Sequence, residues 1–179
     1  IFTDPTGESV GSVKIEGAKF LNGLAVDDAG AVYITDTGTK DIPGAIYRVT
    51  ADGKVAAIAK GRDLNRPNGI DFDSDGNLVV VTFGADEVMI LSPKGKILSK
   101  RSLGAGQLDG LIVRGDGSVL VTSWEGKHIV RLDPSGDAET IVTGVSKPAC
   151  FEVDEAHGRL LIPEVRENRI AIANLPDGR

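Results

Sequence analysis

The sequence predicts an all-β chain folded as a β-propeller, and three observations carry that expectation. The first is a repeat. Leu21-Asn22-Gly23-Leu24, Pro67-Asn68-Gly69-Ile70 and Leu108-Asp109-Gly110-Leu111 each set a carboxamide or carboxylate and a glycine ahead of an apolar run; 46 residues separate Asn22 from Asn68 and 41 separate Asn68 from Asp109. A weaker copy starts 40 residues further on, at Pro148-Ala149-Cys150-Phe151. A period near 40–45 residues made of short strands marks a propeller blade. The second is a parallel series of turns: Asp4-Pro5-Thr6-Gly7, Thr50-Ala51-Asp52-Gly53, Ser92-Pro93-Lys94-Gly95, Asp133-Pro134-Ser135-Gly136 and Leu175-Pro176-Asp177-Gly178. In such hairpin turns glycine supplies the positive φ. The third is the texture between the turns, which is alternating or rich in β-branched residues and nowhere has a helical period.

Taken in order, the chain opens on the first of these turns and a lone strand over 12–16. The first repeat then places strands over 23–26, 31–35, 45–49 and 54–59, with Gly30 in the first turn. The second places them over 70–72, 78–82, 87–91 and 96–100, with Gly76 in the corresponding turn. The third runs through 111–113, 118–122, 128–132 and 139–143, with Gly117 in that turn. The fourth has 151–153, 159–162 and 169–173, and lacks a fourth strand. All 179 residues are read as a single propeller domain of four repeats. Closed propellers hide their edges by letting a terminal strand complete the last blade. Two architectures follow: a four-bladed ring in which 12–16 pairs with 169–173, or the C-terminal portion of a larger propeller lacking about two N-terminal blades. The start at Ile1 rather than Met favours the second.

Composition excludes several classes. With 41% hydrophobic and 26% charged residues the chain is globular, not disordered. A formal charge of −6 without a Lys/Arg run argues against nucleic acid. No apolar run approaches the ~20 residues of a membrane span, so no membrane partner is expected. The one cysteine, Cys150, rules out a disulfide within the chain and leaves the compartment open between cytoplasm and periplasm or exterior. It reads as a small buried residue.

In a propeller the innermost strand of each blade lines the channel, so a residue just ahead of it sits at the channel mouth. Asn22, Asn68 and Asp109 are therefore expected to converge on the axis. Their carboxamide and carboxylate oxygens suit a hard divalent cation, Ca²⁺ above all, with Mg²⁺ or Zn²⁺ as alternatives; no His or Cys cluster builds a zinc site. A competing account makes Asn-Gly and Asp-Gly plain turn residues. Ala149 at the fourth position counts against it, because the turn there has no side-chain oxygen. Asp36 and Glu164 end the second strands of their repeats, where Thr82 and Ser123 stand in the others. They are candidate supports behind the site, and Phe83 and Trp124, next to Thr82 and Ser123, are candidate walls of a substrate pocket. His128 and His157 stand alone, and no Ser-His-Asp arrangement is present.

Through Phe20-Leu21-Asn22-Gly23-Leu24-Ala25-Val26-Asp27, Arg66-Pro67-Asn68-Gly69-Ile70-Asp71-Phe72 and Leu108-Asp109-Gly110-Leu111 the chain resembles the SMP-30/gluconolactonase family of regucalcin-like lactonases. The resemblance implies a six-bladed propeller with one divalent cation in its channel, acting on a small lactone or ester. It implies that Asn68 and Asp109 are cation ligands, that Asp109 also transfers the proton, and that Asn22 contacts substrate or the metal's water; the family's first-blade Glu ligand has no counterpart here. The family's sugar lactonases carry Arg two residues before the first Asn, where this chain has Phe20, and often Asp after it, where this chain has Gly23. Apolar lactones are the expected preference. The alternatives are a non-catalytic propeller of NHL type and a strictosidine-synthase-like propeller.

Overall fold

Short runs such as Leu78-Val79-Val80-Val81 and Val119-Leu120-Val121 are buried on both faces, so they must lie inside sheets packed on two sides. The structure, a computed structural model describing residues 2–3 and 6–176, puts them there. A hairpin of β1 (Phe2–Thr3) and β2 (Ser9–Gly11) comes first. Blade one is the antiparallel sheet β3 (Leu21–Val26), β4 (Val32–Asp36), β5 (Ala45–Val49) and β6 (Val55–Lys60). Blade two is β7 (Pro67–Phe72), β8 (Leu78–Thr82), β9 (Glu87–Leu91) and β10 (Ile97–Ser102), and blade three is β11 (Leu108–Val113), β12 (Val119–Ser123), β13 (His128–Leu132) and β14 (Ala138–Thr143). Blade four has three strands, β15 (Glu152–Asp154), β16 (Arg159–Glu164) and β17 (Arg169–Asn174). Single 3-10 turns, Arg62–Leu64 and Glu155–His157, are the helical segments among the described residues; neither is long and apolar enough to cross a membrane.

Period-two alternation within each sheet supplies the glue between blades. Ala31 and Tyr33 point to blade two and meet Leu78, Val80, Met89 and Leu91, with Tyr33 edge-on to Phe72 at 5.2 Å. The intervening residues of β8, Val79 and Val81, turn the other way and pack on Leu108, Val119 and Val121 of blade three. Leu120 and Ile129 in turn meet Phe151, Leu160 and Ile162 of blade four. Burial of this kind is worth about 1.5–3 kcal/mol for each large side chain.

Two expectations about the first residues and the closure change. The segment 12–16 is not a strand. Its alternating apolar residues Val13 and Ile15 instead pack as unpaired chain on the outer side of blade one, against Val32, Tyr47 and Val49. Among the described residues β17 pairs with β16 alone, so the four sheets form an open row and no four-bladed ring closes. Asp4, Pro5, Asp177 and Gly178, which belong to the first and last of the expected turns, lie outside the described residues.

Candidate functional site

Three matching β-bulges build the site. Leu21 opposes Asp36 and Leu24 opposes Ile34, so Asn22 and Gly23 together face the single residue Thr35. Pro67 and Ile70 oppose Thr82 and Val80, and Leu108 and Leu111 oppose Ser123 and Val121. Each bulge thus holds Asn22-Gly23, Asn68-Gly69 or Asp109-Gly110 inside the innermost strand, not in a turn ahead of it. An extra residue in one strand bends the ladder and re-aims a side chain, here once per blade and in the same place.

The glycines answer a packing demand rather than a turn demand. A Cβ on Gly23 would lie 2.4 Å from the Asn68 carbonyl oxygen, one on Gly69 2.5 Å from that of Asp109, and one on Gly110 2.7 Å from that of Ala149. Each bulge therefore presses its glycine against the next blade's site residue. Threonine hydroxyls lock two of these approaches. Thr35 Oγ1 accepts from Gly23 N (2.8 Å) and donates to Asn68 O (2.5 Å), and Thr122 Oγ1 accepts from Gly110 N (2.8 Å) and donates to Ala149 O (3.1 Å). Thr37 Oγ1 donates to Pro67 O (2.8 Å) and accepts from Asn22 Nδ2 (3.2 Å), which leaves the Asn22 carbonyl oxygen available.

One cavity of about 530 Å³ is lined by Asn22, Asn68 and Asp109 together with Phe20, Thr37, Arg66, Phe83, Trp124, Ala149, Cys150 and Pro163. Phe83 and Trp124 form one wall, edge to face at 5.5 Å. Arg66, Thr37 and Pro163 also line it, though no sequence pattern singles them out for this place, and Cys150, expected to be buried, is exposed and borders the cavity. Asp36 and Glu164 do not line it. Asp36 accepts the backbone N–H groups of Lys19 (2.9 Å), Phe20 (2.8 Å) and Gly38 (2.9 Å); Glu164 accepts Ser146 N (2.5 Å) and the Arg169 guanidinium. Both carboxylates fasten the segments leading into their blades' inner strands. His128 borders a neighbouring cavity, and His157 sits on Asp154 (2.8 Å).

Asn68 and Asp109 are 2% and 8% exposed. Burial pushes the Asp109 carboxyl from 3.8 up to about 6, against the opposing pull of the Asn68 carboxamide beside it. The Asn68 Oδ1 atom is buried without a hydrogen-bond partner. An orphaned carboxamide oxygen costs about 1–3 kcal/mol, so it needs a donor or a cation. A carboxylate held next to it supplies the charge a cation would meet, so this pair fits a hard divalent ion through two oxygens. Among the described residues no group of three or more His, Cys, Asp or Glu side chains gathers to hold a metal by itself.

The Asp109 shift has a signed consequence for stability. The folded pKa lies above the unfolded one, so the native state holds the proton more tightly. The stabilisation from protonation is complete below about pH 4 and is lost as pH rises through about 6. Relative to Asp109→Asn, the wild-type chain should lose on the order of 3 kcal/mol across that window, from a shift of about two pH units. Urea unfolding of both proteins at pH 4 and pH 7, without divalent ions, checks this. Parallel pH dependence in the two would refute it.

A family model described as SMP-30/Gluconolactonase/LRE-like region matches residues 10–162. An uncharacterized WD repeat-containing protein of Synechocystis sp. is 28% identical over 134 residues, 67% of this chain and 36% of that protein. Among solved structures, virginiamycin B lyase from Staphylococcus aureus superposes with a TM-score of 0.73 at 14% identity, over 90% of this chain and 54% of that one. A gluconolactonase from Xanthomonas campestris gives 0.71 at 22% identity, over 90% and 61%, and the calcium-binding protein regucalcin from Agrobacterium tumefaciens gives 0.63 at 23%, over 79% and 52%. The chain spans a little over half the length of these structures and about a third of the curated relative. At these identities the structural likeness establishes the propeller fold.

Proposed function

The chain belongs to the SMP-30/gluconolactonase/LRE-like family, and from that premise we propose that its channel mouth is the site of a cation-dependent lactone hydrolase. The observation that carries this reading is the buried, unpartnered Asn68 Oδ1 beside a carboxyl group whose pKa burial has raised to about 6. Asn68 and Asp109 would hold the ion, and Ca²⁺ suits their oxygens best. A bound divalent ion supplies Lewis-acid polarisation of a carbonyl and stabilises the oxyanion that develops on it. Asp109, which a bound cation would hold as the carboxylate, takes the proton of the attacking water as the new C–O bond forms. When the ring C–O bond breaks, the same carboxyl returns that proton to the leaving alkoxide. The free carbonyl oxygen of Asn22, whose amide nitrogen is tied to Thr37, is placed to accept a hydrogen bond from substrate. Phe20, Phe83, Trp124 and Pro163 give the cavity apolar walls.

A paired measurement tests the reading. Calorimetric titration with Ca²⁺ should show saturable binding, weakened about tenfold in Asn68→Ala, the worth of one neutral ligand at roughly 1.4 kcal/mol. With Ca²⁺ present, a pH-stat assay should show faster turnover of an aliphatic lactone than of glucono-δ-lactone, because Phe20 offers no donor to ring hydroxyls. No Ca²⁺ response and no hydrolysis of either lactone would overturn the proposal. Ligand binding without hydrolysis would point instead to a non-catalytic binding propeller.

A further inference from the structure

The chain carries a net charge of −6, yet two cationic side chains lie over the aromatic wall of the cavity and, among the described residues, pair with no carboxylate. Arg66 stands two residues before Asn68, the place Phe20 holds before Asn22 and Lys147 before Ala149. Arg66 and Lys147 adopt left-handed backbone, with φ of 60° and 50°, as does Gln107 two residues before Asp109 with φ of 53°, so the conformation belongs to this place in the repeat. Each lies over one member of the aromatic wall: Arg66 Cζ is 5.2 Å from the Phe83 ring centroid and Lys147 Nζ is 5.4 Å from that of Trp124. The result is a row of cation, ring, ring and cation along the rim.

The Arg66 position is built. Its backbone oxygen accepts from Phe83 N (2.9 Å), which fixes the main chain to the aromatic it covers. Gly84 leaves room for its stem, since a Cβ there would sit 3.1 Å from Arg66 Cγ and Cδ. The guanidinium has no hydrogen bond or ion pair among the described residues, although Arg66 borders the cavity that contains Asp109. Nor does it neutralise Asp109: burial and the Asn68 carboxamide account for the carboxyl's shift, with no cation among its causes. Trp124 Nε1, a donor on the same wall, is buried without a partner. Stacking on aromatic faces satisfies a guanidinium's plane but not its N–H fork, which matches the two oxygens of a carboxylate.

We infer that Arg66 is a specificity-determining residue that binds a carboxylate carried by the substrate, so that the preferred substrates are lactones or esters with an apolar body and an acidic group. This rests on the hydrolase reading for the word substrate, but the anion site itself does not. Lys147 adds a second positive charge at the other end of the aromatic wall. Without these cations, Asp109 would repel an anionic ligand from the mouth.

Trp124 is the only tryptophan in the chain, so its fluorescence reports on this wall alone. The experiment titrates the full chain with cyclopentanecarboxylate and, separately, with its uncharged isostere cyclopentanecarboxamide. The carboxylate should give a saturable Trp124 signal, with at least about tenfold weaker affinity for the carboxamide, the scale of one charge-assisted contact. Arg66→Gln should abolish that preference, Arg66→Lys should keep part of it, and rising salt should weaken only the carboxylate. Equal affinity for both probes, or a preference that survives Arg66→Gln, overturns the inference. Because neither probe is hydrolysed, failure of this site and failure of the hydrolase reading are separate results: carboxylate selectivity without lactone turnover sinks the second alone.

Discussion

Asp109→Asn should remove saturable Ca²⁺ binding and reduce lactone turnover by roughly 10²–10⁴-fold, the range a positioned proton-transfer group contributes. The substitution keeps the shape of the side chain and deletes its charge. Among the described residues Asp109 is the only anionic side chain bordering the cavity, so no neighbouring carboxylate there can take over either role. Asn68→Ala removes a neutral oxygen and should cost far less. The fold should survive, because a neutral amide at an 8%-exposed position is easier to bury than a carboxylate; retained cooperative unfolding is the control. Unchanged Ca²⁺ affinity in Asp109→Asn would mean that the ion, if bound, sits elsewhere. Unchanged turnover would remove Asp109 from the chemistry.

The second large effect is expected at a residue with no side chain to take part in the chemistry. In Gly69→Ala the new methyl would lie 2.5 Å from the Asp109 carbonyl oxygen, 3.0 Å from Leu111 N and 3.1 Å from Val81 Cγ2. Two of these contacts are main chain and cannot swing aside, so blades two and three must separate. Overpacking of this kind costs about 1–3 kcal/mol, which for a chain of this size lowers Tm by roughly 2–4 °C per kcal/mol. Because the displaced strand carries Asp109, turnover should fall about 10²-fold as well, the penalty of a misplacement near 1 Å. Gly76→Ala is the matched comparison. Gly76 has positive φ but open space around its Cβ position, so it should lose about 1 kcal/mol from backbone strain and no activity. Equal behaviour of the two variants in thermal unfolding and in turnover would show that the close approach of the blades does not matter.

The repeat was legible because it is written in residue types: carboxamide or carboxylate, then glycine, then an apolar run, three times at one spacing. The second, third and fourth strands of blades two and three lie within two residues of where alternation put them, while the inner strands β7 and β11 begin three residues earlier. What was not legible depends on partners. A bulge is a property of two strands, and nothing in Asn22-Gly23 reveals that Thr35 opposes both. Asp36 and Glu164 are expected as supports behind the site because both end a second strand, but the sequence does not name the groups they hold. Their oxygens accept the backbone N–H groups of Phe20 and Ser146, distant in sequence. The run 12–16 has a strand's alternation, but Val13 and Ile15 spend it on packing against blade one with no strand beside them. Arg66 is a further case of dependence on a partner. The repeat itself sets Arg66 in the place of Phe20, but its stacking on the Phe83 ring needs the folded partner.

The threonine clamps give the site an asymmetry. Thr35 ties blade one to Asn68 and Thr122 ties blade three to Ala149, each by a hydroxyl reaching across the seam. The equivalent residue at the middle seam is Val81, fully buried, whose methyl group lies where Gly69 and the Asp109 strand meet. Threonine and valine have nearly the same shape, so the seam keeps its spacing and loses a polar group. The one acidic member of the three is thus the one whose seam is lined with hydrocarbon. A seam, not a blade, is then the smallest unit that carries the site's chemistry. A blade transplanted alone would bring its Asn or Asp but leave behind the neighbour that sets how wet that side chain is.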